Sequence, residues 1–114
     1  MKKLYILMTV LGIVAQSHAQ APTSKVFAPG VETCGTFLAR TQGNTSAQAE
    51  FGSYIEGFAT GVNYGAPGKF DFFESTTASS RLQFVQNYCR SNPQQQVFNA
   101  LEALLKLVGM PERR

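Results

Sequence analysis

A chain of 114 residues with one histidine and two cysteines has few of the side chains from which catalytic and metal centres are built. Ten Lys and Arg face seven Asp and Glu, but Lys2 and Lys3 sit in an N-terminal stretch that reads as a leader. Without them eight cations face seven anions, about +1, and no basic stripe remains to recruit nucleic acid.

The leader is predicted from three adjoining features. Met1-Lys2-Lys3 is a short basic start, Leu4 to Ala15 is an apolar run broken only by Thr9 and Gly12, and Ser17-His18-Ala19 offers small residues at both positions a signal peptidase inspects. This is the pattern of a secretory signal over residues 1–19, and its apolar run is too short to span a bilayer. The only histidine, His18, leaves with it, which removes Ser-His-Asp and Cys-His centres and any histidine-ligated metal. Cleavage after Ala19 leaves about 95 residues, one domain whose core alone is marginal. Export places Cys34 and Cys89 where a lone pair of cysteines reads as a disulfide, and no CxxC spacing points to redox chemistry. The periplasm, or the medium beyond it, is the expected location.

Residues 20–30 carry Pro22 and Pro29 with no period and read as an arm. Residues 31–41 fit a short helix with Cys34, Phe37, Leu38 and Thr41 on one face. Gln42 to Ser46 breaks it, and Asn44-Thr45-Ser46 also matches a glycosylation sequon. A second helix is predicted to start with Thr45 as its cap and Gln48 reaching back. Phe51, Ile55, Phe58 and Val62 form its apolar stripe. Gly57, Gly61 and Gly65 recur every four residues on a neighbouring face. Each weakens the helix by about 1 kcal/mol relative to alanine, so close approach of another helix or of the chain itself is expected there, with a hinge as the rival reading. Residues 66–75 form a loop loaded with Phe70, Phe72 and Phe73. Either two of those rings fold back onto the core under the loop, or they form an exposed contact patch.

Thr77 is predicted to cap a third helix running to Ser91 with Leu82, Val85 and Cys89 inward. A fourth is predicted with Asn92 as cap, Pro93 at its first position and Gln95 completing a capping box. Val97, Leu101, Leu104, Leu105 and Val108 make its buried face, and Gly109 with Pro111 ends it, leaving a tail at 110–114. The expected fold is therefore all-α: a compact four-helix domain over residues 31–109, its first and third helices joined by one disulfide.

Three segments together carry a resemblance. Thr33-Cys34-Gly35-Thr36-Phe37, Tyr54-Ile55-Glu56-Gly57-Phe58 with Gly61-Val62-Asn63, and Asn87-Tyr88-Cys89-Arg90-Ser91-Asn92-Pro93 follow one another as in small exported bacterial proteins. The pattern resembles the periplasmic group around the acid-stress chaperone HdeA and the Tai-like immunity proteins of type VI secretion. Where the Tai-like group carries a further cysteine before its Tyr-Ile-x-Gly segment, this chain has Gly52-Ser53. The resemblance implies a helical fold and a periplasmic setting, and a non-enzymatic role in binding another protein: an exported toxin or enzyme, or an unfolded client.

Among the seven acids, Glu56 and Asp71 are the only pair nominated for carboxylate chemistry such as cell-wall hydrolysis, and a surface role is preferred for both. No catalytic, cofactor or metal site is expected. Glu56, Asn63 and Asn87 are read as structural polar groups that fix helix register. Tyr64, Phe70, Phe72 and Phe73 are read as anchors for a partner. A homodimer across the glycine face is a further possibility. The alternative function is an acid-activated chaperone: below about pH 3 all seven carboxylates protonate and the charge climbs from about +1 to roughly +8, which favours opening.

Overall fold

Helices occupy Cys34–Thr41 (α1), Thr45–Gly65 (α2), Ala78–Ser91 (α3) and Val97–Leu107 (α4) in a computed structural model that describes residues 25–68 and 70–110. The architecture is the expected all-α one, and among the described residues there is no strand beyond an isolated bridge between Thr33 and Gln96. The predicted leader at residues 1–19 and all but the first residue of the predicted tail lie outside the described residues.

The disulfide joins Cys34 of α1 to Cys89 of α3, with Cα atoms 4.7 Å apart. Both cysteines are fully buried, packed with Phe37, Phe51, Ile55, Val85, Val97, Ala100 and Leu101. Phe37 meets Phe51 edge-to-face at 4.7 Å, fixing α1 against α2. A smaller cluster of Ala59, Phe73 and Leu104 continues the core toward the far end of α2.

Two helix starts differ from the sequence-based expectation, for one shared reason. α1 begins at Cys34 and α4 at Val97, because the segments preceding them satisfy each other's unpaired donors. The N–H groups of Cys34 and Gly35 donate to the carbonyls of Gln95 and Pro93 at 2.7 and 2.9 Å. Reciprocally, Val97 and Phe98 donate to the carbonyls of Glu32 and Gly30, both at 2.9 Å. The first N–H groups of a helix have no partner within it, and here a tertiary pairing supplies one. Asn92 consequently ends α3 rather than starting α4: its N–H donates to the Cys89 carbonyl and its side-chain amide to that of Tyr88. The start of α4 is marked instead by Asn99, whose Oδ1 accepts from the Gln96 N–H at 2.9 Å.

The other caps follow local chemistry. Asn44, not Thr45, caps α2, its Oδ1 accepting from the Ala47 N–H, while the Gln48 amide reaches the Thr41 carbonyl and ties α1 to α2. Thr77 caps α3 as expected, in a reciprocal box with Ser80. Gly109, at φ +82°, closes α4: its N–H donates to the Lys106 carbonyl and that of Met110 to Leu105, a Schellman arrangement.

The expectation that Gly57, Gly61 and Gly65 let another segment of the chain approach closely is not met. Among the described residues, a Cβ added at any of them would meet nothing within 4 Å. The position that does require glycine for closeness is Gly30 in the arm, where a Cβ would run into the Tyr54 hydroxyl and the Val26 side chain.

Candidate functional site

A polar network fixes the loop between α2 and α3. Glu56, in the middle of α2, receives both the Nε and an Nη donor of Arg81 in a bidentate pair across to α3. The other Nη of Arg81 donates to the Thr76 hydroxyl at 2.6 Å, and its guanidinium carbon lies 5.9 Å over the Phe73 ring. In the last turn of α2, Asn63 donates to Asp71 at 2.8 Å and accepts the Phe72 N–H at 3.0 Å. Asp71 also accepts the Phe73 N–H at 2.9 Å. The Asn63 amide, then the Phe73 N–H, hold the Asp71 carboxyl below its ordinary range. Glu56, Asn63, Asp71, Thr76 and Arg81 thus line one polar cleft of about 270 Å³.

A second cluster ties the segment before α1 to α1 and α2. Arg40 of α1 donates to Glu32 just before α1 and, at 3.2 Å, to Glu50 of α2, with its guanidinium carbon 5.3 Å over the Phe51 ring. Four of the six carboxylates among the described residues therefore hold contacts between elements.

The predicted structural polar residues divide. Glu56 and Asn63 do fix elements against one another. Asn87 does not: it is exposed and accepts from Arg90 one turn along the same helix. Its position two residues before Cys89 turns its side chain away from the core that the cysteine enters.

The four aromatic residues named as partner anchors divide too. Tyr64 is 92% exposed and Phe70 68%. Phe72 is half-buried, its ring stacked on Phe70 at 6.0 Å between centroids. Phe73 is 3% exposed and belongs to the core, packed with Ala59 and Leu104. The aromatic loop is split: Phe73 folds inward, Phe70 faces outward, and Phe72 lies between them.

Sequence reasoning missed the arginines. Arg81 sits in the first turn of α3, beside the positive end of the helix dipole, where a cation is unfavourable unless a carboxylate answers it. That misplacement signals a carboxylate partner elsewhere in the chain, which the structure identifies as Glu56. It missed as well an open groove of about 750 Å³ between α2, α4 and the arm, floored by half-buried Tyr54, Phe58, Val62, Phe98 and Leu105. No helix among the described residues is long and apolar enough to cross a membrane. Set against known proteins, the chain matches no family profile, no curated protein and no solved structure.

Proposed function

We propose that this is a non-enzymatic, exported protein-binding domain of the immunity or inhibitor kind, acting in the periplasm or beyond the cell. The observation that carries the reading is the presentation of Tyr64 and Phe70. Both rings stand in water at the end of α2, yet the loop that holds Phe70 is pinned by Asn63, Asp71 and Arg81. Aromatic side chains exposed on a fixed backbone bind a partner with little ordering cost, which is how interface anchors work. The disulfide fits an oxidising compartment. The engagement of Glu56 by Arg81 and of Asp71 by Asn63 leaves neither as a free acid or base and speaks against a carboxylate hydrolase. With a cognate exported toxin as bait, Tyr64→Ala and Phe70→Ala should each weaken capture at least tenfold while moving the thermal midpoint by less than about 3 °C. Unchanged capture by both variants would reject this surface.

A second reading, an acid-activated chaperone, is favoured by the four carboxylates that hold elements together. Because the folded pKa of Asp71 is depressed, its contribution to stability is complete above the unfolded value of about 3.9 and is lost as pH falls through the lower folded value. Melting curves from pH 6 to pH 2 should therefore fall less steeply at the acid end for Asp71→Asn than for the parent. Light scattering from an aggregating client at pH 2–3 decides the function: a chain that does not suppress aggregation there is no acid chaperone.

A further inference from the structure

We infer that Asn44 is an attachment site for an N-linked glycan, carried at the turn between α1 and α2. Asn44-Thr45-Ser46 is a motif that the protein-binding reading leaves unused, and it has the three-residue form of an acceptor sequon. Such a sequon can act only where a transferase reaches it and where a sugar fits afterwards. Both conditions hold here. Residues Gln42 to Ser46 are all exposed. Gly43, at φ +64°, turns the chain, and a Cβ added there would meet nothing within 4 Å among the described residues. A bulky, hydrated sugar therefore has room at this corner. The inference needs export, which the disulfide fits, but it does not need a protein partner.

The local chemistry permits the modification without loss of structure. Asn44 caps α2 through Oδ1, which accepts the Ala47 N–H at 3.0 Å. The sugar goes onto the other polar atom of the side chain. Nδ2 attacks the anomeric carbon of an oligosaccharide carried on a polyprenyl pyrophosphate. The carbon–nitrogen bond forms, the anomeric bond to the pyrophosphate oxygen breaks, and the pyrophosphate leaves with the bonding pair. One amide proton passes to a base of the transferase. The product keeps its amide carbonyl, so Oδ1 continues to cap the helix. Ser46, whose hydroxyl completes the sequon, lies in the first turn of α2, and a helix end opens locally more easily than the core. The position also leaves the aromatic anchors uncovered. α2 spans 21 residues, about 31 Å at 1.5 Å per residue, with Asn44 at its start and Tyr64 in its last turn.

The test compares the parent with Asn44→Asp and Ser46→Ala, each made with its leader in the organism that carries the gene and purified from the exported fraction. Aspartate caps as well as asparagine, and alanine is a better helix former than serine, so both variants should fold. Intact-mass spectrometry should find the parent heavier than its polypeptide by whole sugar units, and both variants at the polypeptide mass. Fragmentation should place the sugar on Asn44, and an amidase specific for N-linked glycans should release it. A parent at its polypeptide mass would overturn the inference. An adduct that survives in Ser46→Ala, or that maps to the Thr45 hydroxyl, would overturn it equally. Partner capture should be the same in all three proteins, and stronger capture by both variants would contradict the placement away from the anchors. Failure of capture by all three would reject the protein-binding reading while the sugar on Asn44 stands.

Discussion

Replacing Cys34 and Cys89 together by alanine is expected to remove about 4 kcal/mol of stability, close to everything a domain of this size possesses. The two residues are 55 apart in sequence, and a crosslink over that span restricts the unfolded chain far more than it restricts the folded one. The folded chain loses less, because α1 and α3 are already brought together by packing around Phe37, Val85 and Leu101. Two further small losses add to the entropic one, since both sulfurs are fully buried and each substitution leaves a void in the larger core cluster. Urea titration of the oxidised parent, the reduced parent and the double variant measures the effect. The expected outcome is a cooperative transition for the oxidised parent only, with the other two largely unfolded at 37 °C before any denaturant is added. A double variant whose midpoint matches the parent's would mean that four helices hold without the bond.

The helices themselves are legible because their determinants are local. Thr77 with Ser80 marks the start of α3, Gly109 marks the end of α4, and the 3.6-residue spacing of Val97, Leu101 and Leu104 identifies its inner face. What escapes sequence reading is set by residues distant along the chain. Asn92-Pro93 has every local mark of a helix start, yet the carbonyls of residues 93 and 95 are taken by the N–H groups of Gly35 and Cys34, and α4 begins four residues later. The same holds at the polar cleft. Glu56 and Asn63 stand out as polar groups on an apolar helix, but their partners Arg81 and Asp71 come from a different helix and a loop, and nothing nearby in sequence names them. The groove is the extreme case, since it consists of space between elements. A trace of it in the chain is the four-residue glycine repeat, whose Gly61 and Gly65 line the groove and meet no other side chain among the described residues.

Phe73→Ala and Phe70→Ala lie three residues apart and should behave oppositely. The Phe73 ring is almost wholly buried, and truncating a buried phenylalanine costs about 3–5 kcal/mol through lost transfer free energy and the cavity left behind. The ring also supports the polar cleft, with the Arg81 guanidinium lying over it and the Phe73 backbone N–H bonded to Asp71. Its removal therefore loosens both the smaller core cluster and the seat of the Arg81–Glu56 pair. In a domain of this size that loss lowers the thermal midpoint by more than about 10 °C. Phe70, mostly in water, touches the fold mainly by stacking on Phe72, so its truncation should cost less than about 0.5 kcal/mol. Calorimetry on the two variants separates core from contact surface, and partner capture below both midpoints completes the test. Phe73→Ala should keep its capture once folded and Phe70→Ala should lose it. The reverse pattern, a stable Phe73→Ala with weakened capture, would put Phe73 on the binding surface and displace Phe70 from it.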